Sequence, residues 1–163
     1  MQEIRPGELI GRRYRVIEEV GRGGMAIVYK VHHELLGSEH ALKFLHLPGN
    51  AVQRRLEQEG RVQSGLLHEN IVSVSDIVIV QGRTGLILEW VNGPSLDELL
   101  QAQPLTFSQV DVLVRGILKG VDEAHRRGIA HRDLKPANIV LQVCATAGSG
   151  TIGGSPGSPL TCP

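Results

Sequence analysis

An α+β fold is the class this chain predicts, and three observations predict it. Within residues 14–31 and 71–90 the apolar residues are mostly β-branched or aromatic and come in short runs, as strands require. Beyond residue 94 two capping boxes introduce aliphatic residues at helical spacing. After Leu141 no charged residue remains, and Gly, Ser, Thr and Pro dominate. The expected order is therefore a strand-rich part, a helical part and a structureless tail at 142–163.

The 163 residues suffice for one domain with a real core. Lys+Arg and Asp+Glu are both 17, so no charge excess argues for nucleic acid or an acidic membrane as partner. Apolar runs such as Ile77-Val78-Ile79-Val80 are too short to span a bilayer, and residues 1–6 lack the apolar core of a signal peptide. Cys144 and Cys162 make neither a metal spacing nor a disulfide framework. A soluble, cytoplasmic chain is expected.

Residues 14–31 read as strand, glycine turn, strand. Tyr14, Val16 and Val20 are expected to face a core, and Ile27-Val28-Tyr29-Lys30-Val31 resumes the strand pattern. Gly21, Gly23 and Gly24 permit close approach of a ligand and offer N–H groups to phosphate. An ordinary hairpin turn is the plainer reading of such a cluster. A dinucleotide-binding turn would need a helix directly after the glycines, which the β-branched run opposes. Lys43 stands alone inside the next strand, His40-Ala41-Leu42-Lys43-Phe44-Leu45, where a lysine is ordinarily edge decoration or a snorkelling side chain.

Residues 53–67 predict a charged helix, in which Gly60 and Gly65 each cost about 1 kcal/mol relative to Ala. Two strands, 71–80 and 84–90, come next, joined across Gln81-Gly82-Arg83. Ser95 with Glu98, and Thr106 with Gln109, fit capping boxes. The second opens a long helix carrying Val110, Leu113, Val114, Ile117, Leu118 and Val121, ended by Gly128. The seven histidines are scattered and sit beside no second ligand cluster, so a metal site among them is not expected.

The segment His131-Arg132-Asp133-Leu134-Lys135-Pro136-Ala137-Asn138 holds the chemistry. Pro136 lacks an N–H and disfavours helix at the residue before it, so a loop is expected. Asp133 can orient and accept a proton from a hydroxyl nucleophile, Lys135 can neutralise a moving phosphoryl group, and Asn138 can ligate a metal. The bland alternative is a basic surface loop with a helix-capping Asp.

This segment resembles the catalytic loop of the protein kinase family, matching H-R-D-x-x-x-x-N at every fixed position. Four further stretches resemble the family in order. Val20, Gly21, Gly23, Gly24, Ala26 and Val28 are similar to its glycine-rich loop, with Ala26 in place of the third glycine. Lys43 matches its strand lysine, which pairs with the α- and β-phosphates of ATP. Glu59, placed by its distance from His68-Glu69-Asn70-Ile71-Val72, matches the helix glutamate that pairs with that lysine, with Glu57 as second choice. Residues 86–93 resemble the hinge, with Leu88 as gatekeeper and the backbones of Glu89 and Val91 on the adenine edge.

The resemblance covers residues 10–141. It implies a small lobe at 10–92, with five antiparallel strands and one helix, and the opening helices of a large lobe at 93–141. Gly23-Gly24-Met25 and Lys135 suggest the bacterial eukaryotic-like serine/threonine type. ATP, Mg²⁺ and a protein Ser or Thr hydroxyl are the implied cofactor, metal and acceptor. His131 is expected to brace the loop. No Asp follows Asp133, so the Asp-Phe-Gly metal ligand is expected to be missing, with Asn138 alone on the metal. The competing expectation is a catalytically inactive fragment that binds nucleotide or a partner protein.

Overall fold

The structure, a computed structural model, describes residues 4–23, 26–45, 54, 58, 60, 62–143 and 160–161. It divides into two compact units. The first comprises Met1–Leu66 with Ser73–Trp90, and the second Leu67–Val72 with Val91–Pro163.

The first unit is an antiparallel sheet of six strands: β1 (Leu9–Ile10), β2 (Tyr14–Arg22), β3 (Ala26–His33), β4 (Glu39–Leu45), β5 (Val74–Val80) and β6 (Arg83–Glu89). Their order is β1-β2-β3-β4-β6-β5. The five expected strands are present, and β1 adds a sixth, too short for periodicity to reveal. Burial in β3 alternates without a break, with Ile27, Tyr29, Val31 and His33 buried and Ala26, Val28, Lys30 and His32 half-buried. Ile27, Tyr29 and Val31 join Ile4, Ile10, Tyr14, Val16, Leu42, Phe44, Val78, Val80 and Ile87 in one core. Gly85 belongs to that packing, because a Cβ there would lie 2.9 Å from both Leu42 and Phe44.

Val20 departs from expectation. Tyr14 and Val16 are buried, but Val20 is 44% exposed. The β2–β3 register shifts twice, between Val16 and Glu18 and between Glu19 and Gly21. Each extra residue inverts the alternation, and Val20 is itself the unpaired residue of the second shift.

At one end of the sheet Tyr14 donates its hydroxyl to Asp76 at 3.0 Å, and Arg13 pairs with the same carboxylate at 2.8 Å. Burial, then Asp76, pushes the Tyr14 hydroxyl up to about 12, so it stays a donor. The Tyr14 ring meets His33 and His40 edge-on, at 4.9 and 5.7 Å between centroids. His33 Nδ1 accepts from the N–H groups of Leu35 and Leu36, closing the β3–β4 turn.

The second unit holds α1 (Leu96–Ala102) and α2 (Phe107–Arg126). Both capping boxes form. Glu98 N–H donates to Ser95 Oγ while Ser95 N–H donates to the Glu98 carboxylate. Thr106 and Gln109 exchange the same two bonds. Gly128, with φ of +72°, turns the chain out of α2. Gly120 admits the backbone of Asn70, whose carbonyl oxygen would lie 2.8 Å from any Cβ. Leu96, Leu113, Ile139 and Leu141 form the core, with Leu99, Leu105 and Ile117 packed against it. Leu160–Thr161, within the stretch expected to be structureless, pairs with Val140–Leu141. No helix among the described residues is long and apolar enough to cross a membrane.

Burial and the neighbouring His33 hold the His40 imidazole below its usual 6.5. The unfolded chain therefore takes up this proton more readily than the folded one. The contribution is complete above pH 6.5 and is lost as pH falls through the lower folded value. Thermal melts of the chain should lose stability between neutral pH and pH 5, and His40→Gln should flatten that slope.

The α2 stripe is only partly covered. Leu113 is buried and Ile117 and Val121 half-buried, but Val110, Val114 and Leu118 are 42, 45 and 60% exposed, and Phe107 is 97% exposed. Full burial of each would add about 1.5–3 kcal/mol. The 163-residue chain is expected to bind hydrophobic dyes at this face, and Val114→Gln with Leu118→Gln to abolish most of the fluorescence gain without lowering the melting temperature.

Candidate active site

The candidate residues fall in both units. In the first, register sets which side chains share a face. Val28 lies opposite Lys43, and Lys43 opposite Leu86; Lys30 lies opposite Ala41, and Ala41 opposite Leu88. Directly paired residues point the same way, so these two rows share the face opposite the core of Tyr29, Leu42 and Ile87. Lys43 is exposed there, and no ion pair engages it among the described residues. Gly21 lies opposite Val28, and the Gly23 N–H donates to the Ala26 carbonyl at 2.8 Å, closing the turn. Gly24 and Glu59 lie outside the described residues, as does Glu57.

Gly60, next in sequence to Glu59, is described and buried. A Cβ there would come within 2.7 Å of Leu86 and 3.3 Å of Ile77. Sequence reasoning counted this glycine only as a helix weakener. Its absent side chain lets the segment lie against the residue whose cross-strand neighbour is Lys43.

Glu89 N–H donates to the Ser73 carbonyl at 2.9 Å, and its carboxylate accepts from the Ser73 N–H and hydroxyl at 3.4 and 3.2 Å. With that N–H engaged, the group Glu89 can offer a ligand is its carbonyl, which has two lone pairs. In the second unit Val91 is buried at 8% exposure.

The loop of the second unit is built on local chemistry. Arg132 takes a left-handed backbone, φ +62°, costing about 1–3 kcal/mol in a non-glycine residue. Pro136 opens a 3₁₀ turn, Pro136–Asn138, which returns Asn138 toward Asp133. Asn138 Nδ2 donates to the Asp133 carbonyl at 2.8 Å and to its carboxylate at 3.0 Å, and Lys135 Nζ lies 3.0 Å from the same carboxylate oxygen. Thus the three residues named from sequence converge. His131 is exposed, and its positive charge would favour the ionised Asp133.

Lys135 first, then Asn138, pulls the Asp133 carboxyl below its usual range. Its strength is therefore to hold and orient a hydroxyl, since so weak a base takes up a proton only late. Because Asn138 spends its amide nitrogen on Asp133, its Oδ1 is left for a cation. An oxygen-only donor set suits a hard divalent ion that draws further ligands from phosphate and water. Among the described residues no three His, Cys, Asp or Glu side chains converge to hold a metal by themselves.

A backbone ladder carries this loop. Leu96 N–H donates to Ile139 O, Leu141 N–H to Pro94 O and Val143 N–H to Asn92 O, at 2.7–2.9 Å. Gly93 makes the approach possible, since a Cβ would sit 1.8 Å from the Leu141 carbonyl oxygen.

Known proteins are similar to this chain in sequence and fold. The protein kinase domain model matches residues 14–146. The probable serine/threonine-protein kinase PknB of Lactococcus lactis is 34% identical over 148 residues, covering 88% of this chain and 24% of the relative. Serine/threonine-protein kinase Pkn1 of Myxococcus xanthus is 38% identical over 140 residues, covering 82% of this chain and 20% of the relative. The crystal structure of the Mycobacterium tuberculosis PknI kinase domain is similar at a TM-score of 0.70 with 28% identity, over 86% of this chain and 58% of that one. The chain spans about a quarter or less of these curated relatives.

Gly93→Ala is expected to force the ladder apart. The clash is with backbone, so a cost at or above the roughly 1–3 kcal/mol usual for overpacking should appear as early loss of α1 and α2 in urea, with the sheet melting unchanged.

Proposed function

Because the chain belongs to the protein kinase family, we propose that it carries the nucleotide-holding and hydroxyl-orienting groups of an ATP-dependent serine/threonine protein kinase. The observation that carries the reading is the convergence of Lys135 and Asn138 on the Asp133 carboxylate. The reaction moves the γ-phosphoryl group of ATP to a Ser or Thr hydroxyl. The new O–P bond forms as the bond to the β-phosphate oxygen breaks, ADP leaves, and the hydroxyl proton is released.

Asp133 accepts a hydrogen bond from the hydroxyl and aims it, while Lys135 offsets charge on the transferring group. Lys43 faces the α- and β-phosphates, with Glu59 as its partner, under the glycine turn of Gly21, Gly23 and Gly24, whose third glycine position Ala26 fills. Val20, Val28 and Leu88 give the base apolar cover, and the Glu89 carbonyl with the Val91 backbone reads its edge. Mg²⁺, when bound, neutralises the phosphates, and Asn138 Oδ1 is the ligand this chain brings to it. No Asp or Glu follows Asp133 within the 163 residues. The balanced charge supports a protein acceptor rather than nucleic acid, and the cytoplasm is where we place the reaction.

That missing carboxylate favours a second reading of the 163 residues taken alone, as a nucleotide-binding piece without transfer activity. Equilibrium titration of the 163-residue chain should show weak adenine nucleotide binding that changes little on adding Mg²⁺ and falls at least tenfold in Lys43→Met. Phosphotransfer should stay below detection, since one lost preorganised contact already costs about 10²–10³ in rate. Absence of nucleotide binding would overturn the site. Autophosphorylation abolished by Asp133→Asn would overturn the second reading.

A further inference from the structure

On the face shared by Val28, Ala41, Lys43 and Leu88 stands a second lysine that the family motifs leave without a role. Lys30 lies opposite Ala41 and two residues along β3 from Val28. Its side chain is only 18% exposed, its ammonium lies 2.7 Å from the Glu39 carboxylate, and the same ammonium sits 4.8 Å from the centroid of the Trp90 ring. Trp90 follows Glu89 and precedes Val91, the two residues whose backbones the proposed function assigns to the adenine edge.

The indole of Trp90 is held by its face. Its Nε1 is buried and donates to no acceptor among the described residues, so a hydrogen bond does not orient the ring. A cation over an indole does so through the ring quadrupole, and withdrawal from water strengthens the attraction. Glu39, paired with Lys30 at 2.7 Å, aims it. On the other side Glu89 is tied to Ser73 through its N–H and its carboxylate. The end of β6 is thus anchored twice, by Ser73 at Glu89 and by Lys30 at Trp90.

We infer that Lys30 is a positioning residue for adenine binding, acting through Trp90 to fix the backbone that reads the base. The inference rests on the proposed nucleotide site. Because Lys30 acts through the base-reading segment, its loss weakens every ligand that carries adenine, whether or not phosphates are attached. A lysine that touched phosphate would instead discriminate by phosphate number.

Trp90 is the only tryptophan in the chain, so its fluorescence reports on this segment alone. The 163-residue chain, Lys30→Met, Lys30→Arg and Glu39→Gln are titrated with adenosine, ADP and ATP, following the emission. Lys30→Met is expected to shift the emission maximum of the free chain and to weaken all three ligands by a common factor of about tenfold. Lys30→Arg, which keeps a cation over the ring, is expected to restore both, and Glu39→Gln to fall between. Lys30→Met affinities equal to the parent's overturn the role of Lys30 and leave the nucleotide site standing. Loss confined to ADP and ATP overturns positioning in favour of direct phosphate contact. A parent chain that binds none of the three, checked also by equilibrium dialysis, overturns the nucleotide site and this inference with it. Should Lys30→Met fail to fold, Lys30→Arg and Glu39→Gln still decide: parental emission and affinities in Glu39→Gln, or no rescue in Lys30→Arg, overturn the inference.

Discussion

The pairing of β3 with β4 is the constraint on which the first unit depends. Side chains alternate across a sheet with period two, so a slip of one residue would exchange its two faces. Tyr29 and Leu42 would leave the core, and Val28 and Lys43 would enter it. What forbids the slip is the cost of drawing a lysine out of water while exposing Tyr29, Val31, Leu42 and Phe44, each no more than 2% accessible as folded. The hydrophobic core thereby decides, at one remove, that Lys43 is presented to solvent. The placement of Lys43 is a by-product of burial on the opposite face.

The second unit solves its placement problem differently. Its loop has little apolar surface, and residues 131–137 are all exposed. Order comes instead from the polar bonds that Asn138 and Lys135 make to Asp133, and from the two buried residues just beyond the loop. Ile139 and Leu141 are buried in the helical core and bonded to the stretch before α1. A soft segment is thus clamped between the end of α2 and a backbone ladder, and the strained Arg132 is tolerated because both ends are fixed.

Features that depend on neighbours in sequence were the legible ones. The capping boxes at Ser95 and Thr106 involve residues three apart, and both formed as expected. The convergence of Asp133, Lys135 and Asn138 was legible for the same reason, with Pro136 forcing the turn. Features set by tertiary neighbours were not. Nothing in the string marks Val20 as exposed, because the two register shifts in β2 have no local signature. Gly60, Gly85 and Gly93 look alike in sequence, yet each is required by a different approaching group: Leu86, the Leu42 and Phe44 pair, and the Leu141 carbonyl. Lys30 reads as surface charge until β6 delivers Trp90 to it. β1 was missed because two residues carry no period.

The irregular β2 has a mechanical consequence. Its first residues, Tyr14 and Val16, are sealed in the core, while residues 17–22 are solvent-exposed on both sides of the second register shift. Broken ladder and thin burial make the outer half of β2 the part of the sheet that opens at least cost. Residues 17 and 20, left out of the β2–β3 pairing, are the two points at which that half can bend. It can open while Tyr14, Tyr29 and Phe44 stay packed in the core. Opening of that half would be uncoupled from unfolding of the sheet that carries it.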